Sequence, residues 1–191
     1  ARRIVPAADD VRAGRWRTWE PQGWIGHDVY GASLLVVGAG RIGQAVAKRG
    51  AGFEMRVQVA DIGDDLMAML PEADFVSIHV PLTDSTEGLF GAEQFGVMKP
   101  TAIIVNTARG PVIDRDALGE ALRAGEIGGA ALDVTVPEPL PADDPLLDAP
   151  NLLVVPHIGS ATTGARAAMT DRAVRNLLAG LAGEPVPYPA G

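Results

Sequence analysis

At 191 residues with 47% hydrophobic content, the chain can bury one full core with an appendage, whereas two complete domains would be crowded. A formal net charge of -8 without a basic block argues against nucleic acid as a main partner, and the lack of cysteine excludes disulfides, thiol catalysis and thiolate metal sites; no metal site is expected. No apolar stretch approaches a membrane span, and the opening ARRIVPAADD has no signal-peptide core, so a cytoplasmic protein without a membrane partner is expected.

In chain order, residues 12–30 carry all three tryptophans, Trp16, Trp19 and Trp24, among Gly14, Pro21, Gly23 and Gly26. Such aromatic density on a non-helical arm reads as an interface rather than as core. Short, aliphatic-rich runs follow at 33–38, 55–60, 73–80, 102–106, 129–134 and 152–155, the pattern of buried parallel strands. Helices are expected at 42–49, 65–70, 92–98, 115–124 and 163–182. Asp114 suits the N-cap of the fourth and Gly125 its C-terminal stop. Val174, Leu177, Leu178 and Leu181 form an apolar stripe on the last helix. The alternation predicts an α/β protein with a Rossmann-type, doubly wound parallel sheet of about six strands and an N-terminal arm.

The richest segment reads SLLVVGAGRIGQAVAKRGAGFEMRVQVAD: strand, glycine turn, helix, second strand, acid. Gly38 permits the tight turn out of the strand, Gly40 lets a pyrophosphate approach the backbone, and Gly43 lets the helix lie close on the sheet. The phosphates then meet the positive end of the helix dipole and its free N–H groups. Asp61 ends the second strand and can accept hydrogen bonds from both adenosine ribose hydroxyls. Ile62, Gly63, Asp64 and Asp65 offer no cation for a 2′-phosphate, so NAD is expected over NADP.

Ligands of an open parallel sheet bind outside the carboxyl ends of its strands. Arg109, Glu138 and His157 each follow the end of a predicted strand, so three ionisable groups from three loops point to the edge where a nicotinamide would lie. His79 lies within a predicted buried strand, reads as a satisfied core histidine and is left outside the catalytic set.

The strings Gly38-Ala39-Gly40-Arg41-Ile42-Gly43, His79-Val80-Pro81-Leu82-Thr83, Asn106-Thr107-Ala108-Arg109-Gly110, Ala131-Leu132-Asp133-Val134, Glu138-Pro139 and Pro156-His157-Ile158-Gly159-Ser160 resemble the D-isomer-specific 2-hydroxyacid dehydrogenases over nearly the whole chain. The resemblance implies that Arg109 binds the substrate carboxylate and polarises the C2 carbonyl. His157 would exchange the proton with the C2 oxygen, and Glu138 would hydrogen-bond that histidine, keeping it protonated closer to neutral pH. It further implies that Asp133 holds the nicotinamide carboxamide and that Arg41 and Ile42 contact the pyrophosphate. Val80, Pro81, Thr86, Thr107 and Ala108 would line the cofactor cleft, with Gly159 and Ser160 completing the set.

Two departures from the family pattern matter. Members carry a separate substrate-binding lobe, mostly N-terminal to the nucleotide domain and completed by the last segment, whereas this sequence begins at about the linker helix. The expected division is therefore a linker helix and dimerisation arm at 1–30, an NAD-binding domain at 31–161, and a C-terminal helix and tail at 162–191 that return to the lobe. NAD binding is expected to survive without that lobe and turnover to be impaired. Pro6 requires the linker helix to begin there or kink.

The second departure is that only residues 62–73 separate Asp61 from the next strong strand, where the family has a helix, a strand and another helix. One helix fits. Crossing the first strand takes about 10 Å and a ten-residue helix spans about 15 Å, so the expected strand order is 2-1-3-4-5-6. Thr135 also stands where relatives usually carry an aromatic, which loosens packing under the Glu138 loop.

The sequence thus points to NAD-dependent interconversion of small D-2-hydroxy and 2-oxo acids, by a homodimer joined through the tryptophan arm. The rival reading is a dimeric NAD(H)-sensing, corepressor-like module, since the same scaffold serves that role in some relatives.

Overall fold

The computed structural model describes residues 1–189. The chain divides into two compact units, the first Ala1–Val155 and the second beginning at Pro156. In the first unit the order is α1 (Ile4–Arg12), β1 (Ser33–Val37), α2 (Arg41–Gly52), β2 (Arg56–Ala60), α3 (Leu66–Met69), β3 (Phe75–Ile78), α4 (Ala92–Val97), β4 (Ile103–Asn106), α5 (Arg115–Ala124), β5 (Gly129–Leu132) and β6 (Leu152–Val154). The second unit carries α6 (Thr163–Leu181).

All six strands are parallel, in the order β2-β1-β3-β4-β5-β6 that the short 62–73 connection predicts. That connection holds α3 and a single 3-10 turn, Leu70–Glu72, whose Leu70 is fully buried. The register sets Ala60, Val37, Ile78, Asn106, Leu132 and Val154 in one row across the sheet. Every strand therefore ends on the same line, and the loops that follow leave from one edge.

The inner strands bury both faces, which is why their sequences run apolar without alternation: Leu35, Val36, Val76, Ile78 and Ile104 are all buried, with Phe90, Phe95 and Leu118 packed in the same core. β2 behaves differently, with Arg56 and Gln58 exposed and Val57 and Val59 half-buried. It is an edge strand, and charged or polar residues along such an edge discourage pairing with another chain.

Local signals hold at the helix ends. Asp114 accepts hydrogen bonds from the Asp116 and Ala117 N–H groups, and Gly125 takes the left-handed φ of 71° that ends α5. Pro6 lies in the first turn of α1, where its missing N–H has no intrahelical partner to lose. Beyond α1 the arm is fastened at its far end, where Arg56 donates to the Gly31 carbonyl and Tyr30 to the Glu54 carboxylate. Its tryptophans stay outside: Trp16 is 67% exposed, Trp19 78% and Trp24 45%.

In the second unit Thr162 caps α6 by accepting from the Ala165 N–H, and the stripe of Val174, Leu177, Leu178 and Leu181 is exposed. Among the described residues no helix is long and apolar enough to cross a membrane.

Candidate active site

The nucleotide motif is built by close approach of backbones. Gly38 has a φ of 108°, and a Cβ there would stand 2.7 Å from the carbonyl carbon and oxygen of His79. The His79 N–H in turn donates to the Val37 carbonyl, so the glycine turn and the start of the Val80–Pro81 loop are pressed together. A Cβ on Gly43 would collide with the Gly38 carbonyl oxygen, which ties the first turn of α2 to the end of β1. Both positions need glycine for what touches them.

Gly40 is the opposite case. It is the extended N-cap of α2, makes no side-chain cap, and a Cβ on it would meet nothing within 4 Å. The first N–H groups of a helix have no intrahelical partner, and here no side chain at the cap takes them. Open ground beside an uncapped helix end fits a dinucleotide pyrophosphate, with Arg41 and Ile42 exposed alongside.

Asp61 follows β2 and is exposed. Its N–H donates to the Asp64 carboxylate, and the Asp65 carboxylate caps α3 through the Ala68 N–H. Two of the three acids of this loop therefore fold the loop, and the Asp61 side chain is exposed at the end of β2. In the loop after β3, the Thr86 hydroxyl donates to the Pro81 carbonyl and accepts from the Thr83 N–H. Thr86 thus braces the loop after β3 from within.

β4 delivers the Thr107–Arg109 turn. Asn106, fully buried at the strand end, accepts from the Ala108 N–H and donates to the Arg109 carbonyl, fixing both ends of that turn. Arg109 itself is exposed and donates Nη1 to the Ala108 carbonyl. It presents a cation at the strand edge. Asp133 is buried just beyond β5, its N–H given to the Asn106 carbonyl, and Glu138 is exposed on the following loop. Gly110 joins the two loops, since a Cβ there would strike the Thr135 carbonyl.

His79 is half-buried with its Nε2 2.8 Å from the Ser77 hydroxyl, and burial lowers its pKa, so the neutral ring is favoured. It has the environment of a satisfied core histidine. In the second unit, His157 has a left-handed φ of 53° directly after Pro156. Two short turns follow, Ala161 N–H to the Ile158 carbonyl and Thr162 N–H to the Ser160 carbonyl, which enclose Gly159 and Ser160.

Two residues stand out that sequence reasoning had not assigned to the site. Asn106 carries a signal in hindsight, an amide ending an apolar strand immediately before a loop arginine. Arg115 carries none, because the first residue of a helix reads as solvated; here it is clamped to the Glu138 loop.

A parallel sheet whose strand ends share one row, with an uncapped helix terminus and an exposed arginine along that row, defines a dinucleotide-binding α/β domain. The family model of the D-isomer specific 2-hydroxyacid dehydrogenase NAD binding domain matches residues 1–159, and the chain belongs to that family. It is 48% identical to the glyoxylate/hydroxypyruvate reductase B of Pectobacterium carotovorum subsp. carotovorum (strain PC1), over 96% of this chain and 62% of that protein. The solved structure of the TT0316 protein from Thermus thermophilus matches with a TM-score of 0.94 at 47% identity, over 100% of this chain and 64% of that one. The D-lactate dehydrogenase of Lactobacillus jensenii, solved with NAD+, matches with a TM-score of 0.83 at 31% identity, over 100% and 64%. The chain spans about three fifths of the length of the curated relatives it matches.

Proposed function

We propose that this chain forms the cofactor half of an NAD-dependent D-2-hydroxyacid dehydrogenase that reduces small 2-oxo acids with NADH. The observation that carries the reading is the exposed Arg109 cation, on a turn whose backbone is held by buried Asn106, on the same strand edge as the uncapped end of α2. When bound, the reduced cofactor supplies a hydride to the carbonyl carbon. As that carbon is reduced its oxygen gains negative charge, so a fixed cation and a proton donor lower the barrier. Arg109 grips the carboxylate and polarises the carbonyl. His157 gives the proton to the oxygen, Glu138 hydrogen-bonds the histidine, and Asp133 holds the carboxamide end of the cofactor. These roles rest on the match of the residues to the family's motifs. A relative named glyoxylate/hydroxypyruvate reductase puts those two acids first among substrates to assay.

Within this reading, residues 1–30 form a linker helix and arm, 31–161 the NAD-binding domain, and 162–191 return to a substrate lobe. The exposed Trp16, Trp19 and Trp24 support a homodimer through the arm, because a few buried aromatic anchors supply much of the energy of most interfaces. We place the protein in the cytoplasm, where NADH is supplied.

Calorimetric titration with NADH and NADPH tests the cofactor site; Asp61 is expected to give NADH at least a tenfold advantage, about 1.4 kcal/mol. Equal affinities would sink that role. Steady-state reduction of glyoxylate and hydroxypyruvate by the protein carrying this chain with a substrate lobe tests the chemistry. Arg109→Ala should abolish turnover and keep NADH affinity, whereas NADH binding without turnover of any 2-oxo acid would favour the sensing module. Sedimentation of the wild type against a Trp16→Ala, Trp19→Ala double variant tests the dimer, and a monomeric wild type at micromolar concentration refutes it.

A further inference from the structure

We propose that Arg115 is the positioning residue for Glu138, holding the loop that carries this carboxylate in register with the Arg109 turn; the inference rests on the reading of Glu138 as the partner of His157. Arg115 is the first residue of α5, and its side chain is 30% exposed. Nη1 donates to the Val136 carbonyl at 2.7 Å, and Nη2 donates to the Asp144 carboxylate at 2.6 Å. One guanidinium thus grips the loop before Glu138 and again after it.

The second grip point is itself anchored. Asp144 is buried and also accepts from the Leu146 N–H, which starts the turn Pro145–Asp148. The hydrogen bond from Arg115, joined by that N–H, lowers the Asp144 pKa and keeps the carboxylate charged through the neutral range. On the other flank the Thr135 carbonyl lies against the α-carbon of Gly110, the residue next to Arg109. The same clamp therefore fixes the Glu138 loop relative to the Arg109 turn.

Packing does not do this job in its place. Residues 136–139 are exposed. Beneath them lies a cavity of about 10 Å³ lined by Asn106, Ile113, Leu118, Leu132, Thr135 and Leu146. Thr135 lines that space, and its hydroxyl donates to the Pro137 carbonyl. Directional hydrogen bonds from a planar, two-armed donor are what locate such a loop, and lysine, a compact charge on a flexible stem, lacks that rigid fork.

The chain has three histidines, so the ring signals of His157 can be followed by proton NMR across pH with NADH bound. Glu138→Gln sets the scale, since it removes the charge and keeps the shape; it should lower the titration midpoint of His157. Arg115→Met should move that midpoint in the same direction by at least half as much with NADH affinity within twofold of wild type, and Arg115→Lys should fall between. Asp144→Asn, which loosens the far grip only, gives a smaller change of the same sign and serves if Arg115→Met does not fold. A wild-type midpoint in folded Arg115→Met, or in Asp144→Asn should the former not fold, overturns the positioning role while Glu138→Gln still shifts. No shift in Glu138→Gln overturns the pairing of Glu138 with His157, and the positioning role with it.

Discussion

The two halves of the strand edge are made by different means. Around β1 and α2 the site is a backbone device: Gly38 and Gly43 are glycines because carbonyl groups press on them, and Gly40 is glycine beside open ground. Around β4 and β5 it is a side-chain device: a buried amide holds the Arg109 turn, and an ion-paired guanidinium holds the Glu138 loop. The first half presents N–H groups that every residue type but proline possesses, so it is sensitive to added volume. The second depends on particular donors and acceptors, so it is sensitive to their removal.

The contrast is most exposed at Gly43. Gly43→Ala forces backbone atoms apart and should cost about 3 kcal/mol of stability, read as a lower urea midpoint. A neutral outcome would show that α2 can slide and would break the backbone description. Gly40→Ser is the sharper variant, because nothing stands within 4 Å and serine is a good cap. Stability should hold or rise while NADH affinity falls at least tenfold, about 1.4 kcal/mol. An unchanged affinity by calorimetry would mean that the helix end is not the phosphate site.

On the side-chain half, Asn106→Ala leaves the Ala108 N–H without its partner, takes one of two donors from the Arg109 carbonyl and should cost about 2 kcal/mol, with NADH affinity changed less than in Gly40→Ser. If cofactor affinity falls as far as in Gly40→Ser, the two halves are not separable.

The smallest effect is expected where the halves meet, at His79. Burial lowers its pKa from the ordinary histidine value, so the native state binds fewer protons than the unfolded chain. Its contribution is present above the unfolded value of about 6.5 and is lost as pH falls toward the folded value. Urea midpoints at pH 7.5 and pH 5 should differ less in His79→Gln than in the wild type, and identical differences would place the acid sensitivity elsewhere.

Much of this was legible in the chain. The short 62–73 connection required one crossover helix and therefore the order β2-β1-β3-β4-β5-β6, and Asp114 and Gly125 marked the ends of α5. Strand bounds ran long at their ends. The run 73–80 reads as strand throughout, whereas β3 spans Phe75–Ile78, and the backbone pairing runs one residue past each end, from the Asp74 N–H to the Ser33 carbonyl and from the His79 N–H to the Val37 carbonyl. The run 55–60 reads as a buried strand, yet β2 exposes Arg56 and Gln58, since no strand lies outside it among the described residues.

What the sequence determined by itself is whatever is encoded within one βαβ unit: apolar runs, glycine spacing, caps and connection length act over a few residues and leave local signatures. The partner of each polar group was decided only by the fold. Arg115 reaches Asp144, 29 positions away, and the Gly38 turn abuts His79, because the parallel register brings all six strand ends onto one line. Pairing of that kind depends on three-dimensional proximity and has no periodicity along the chain.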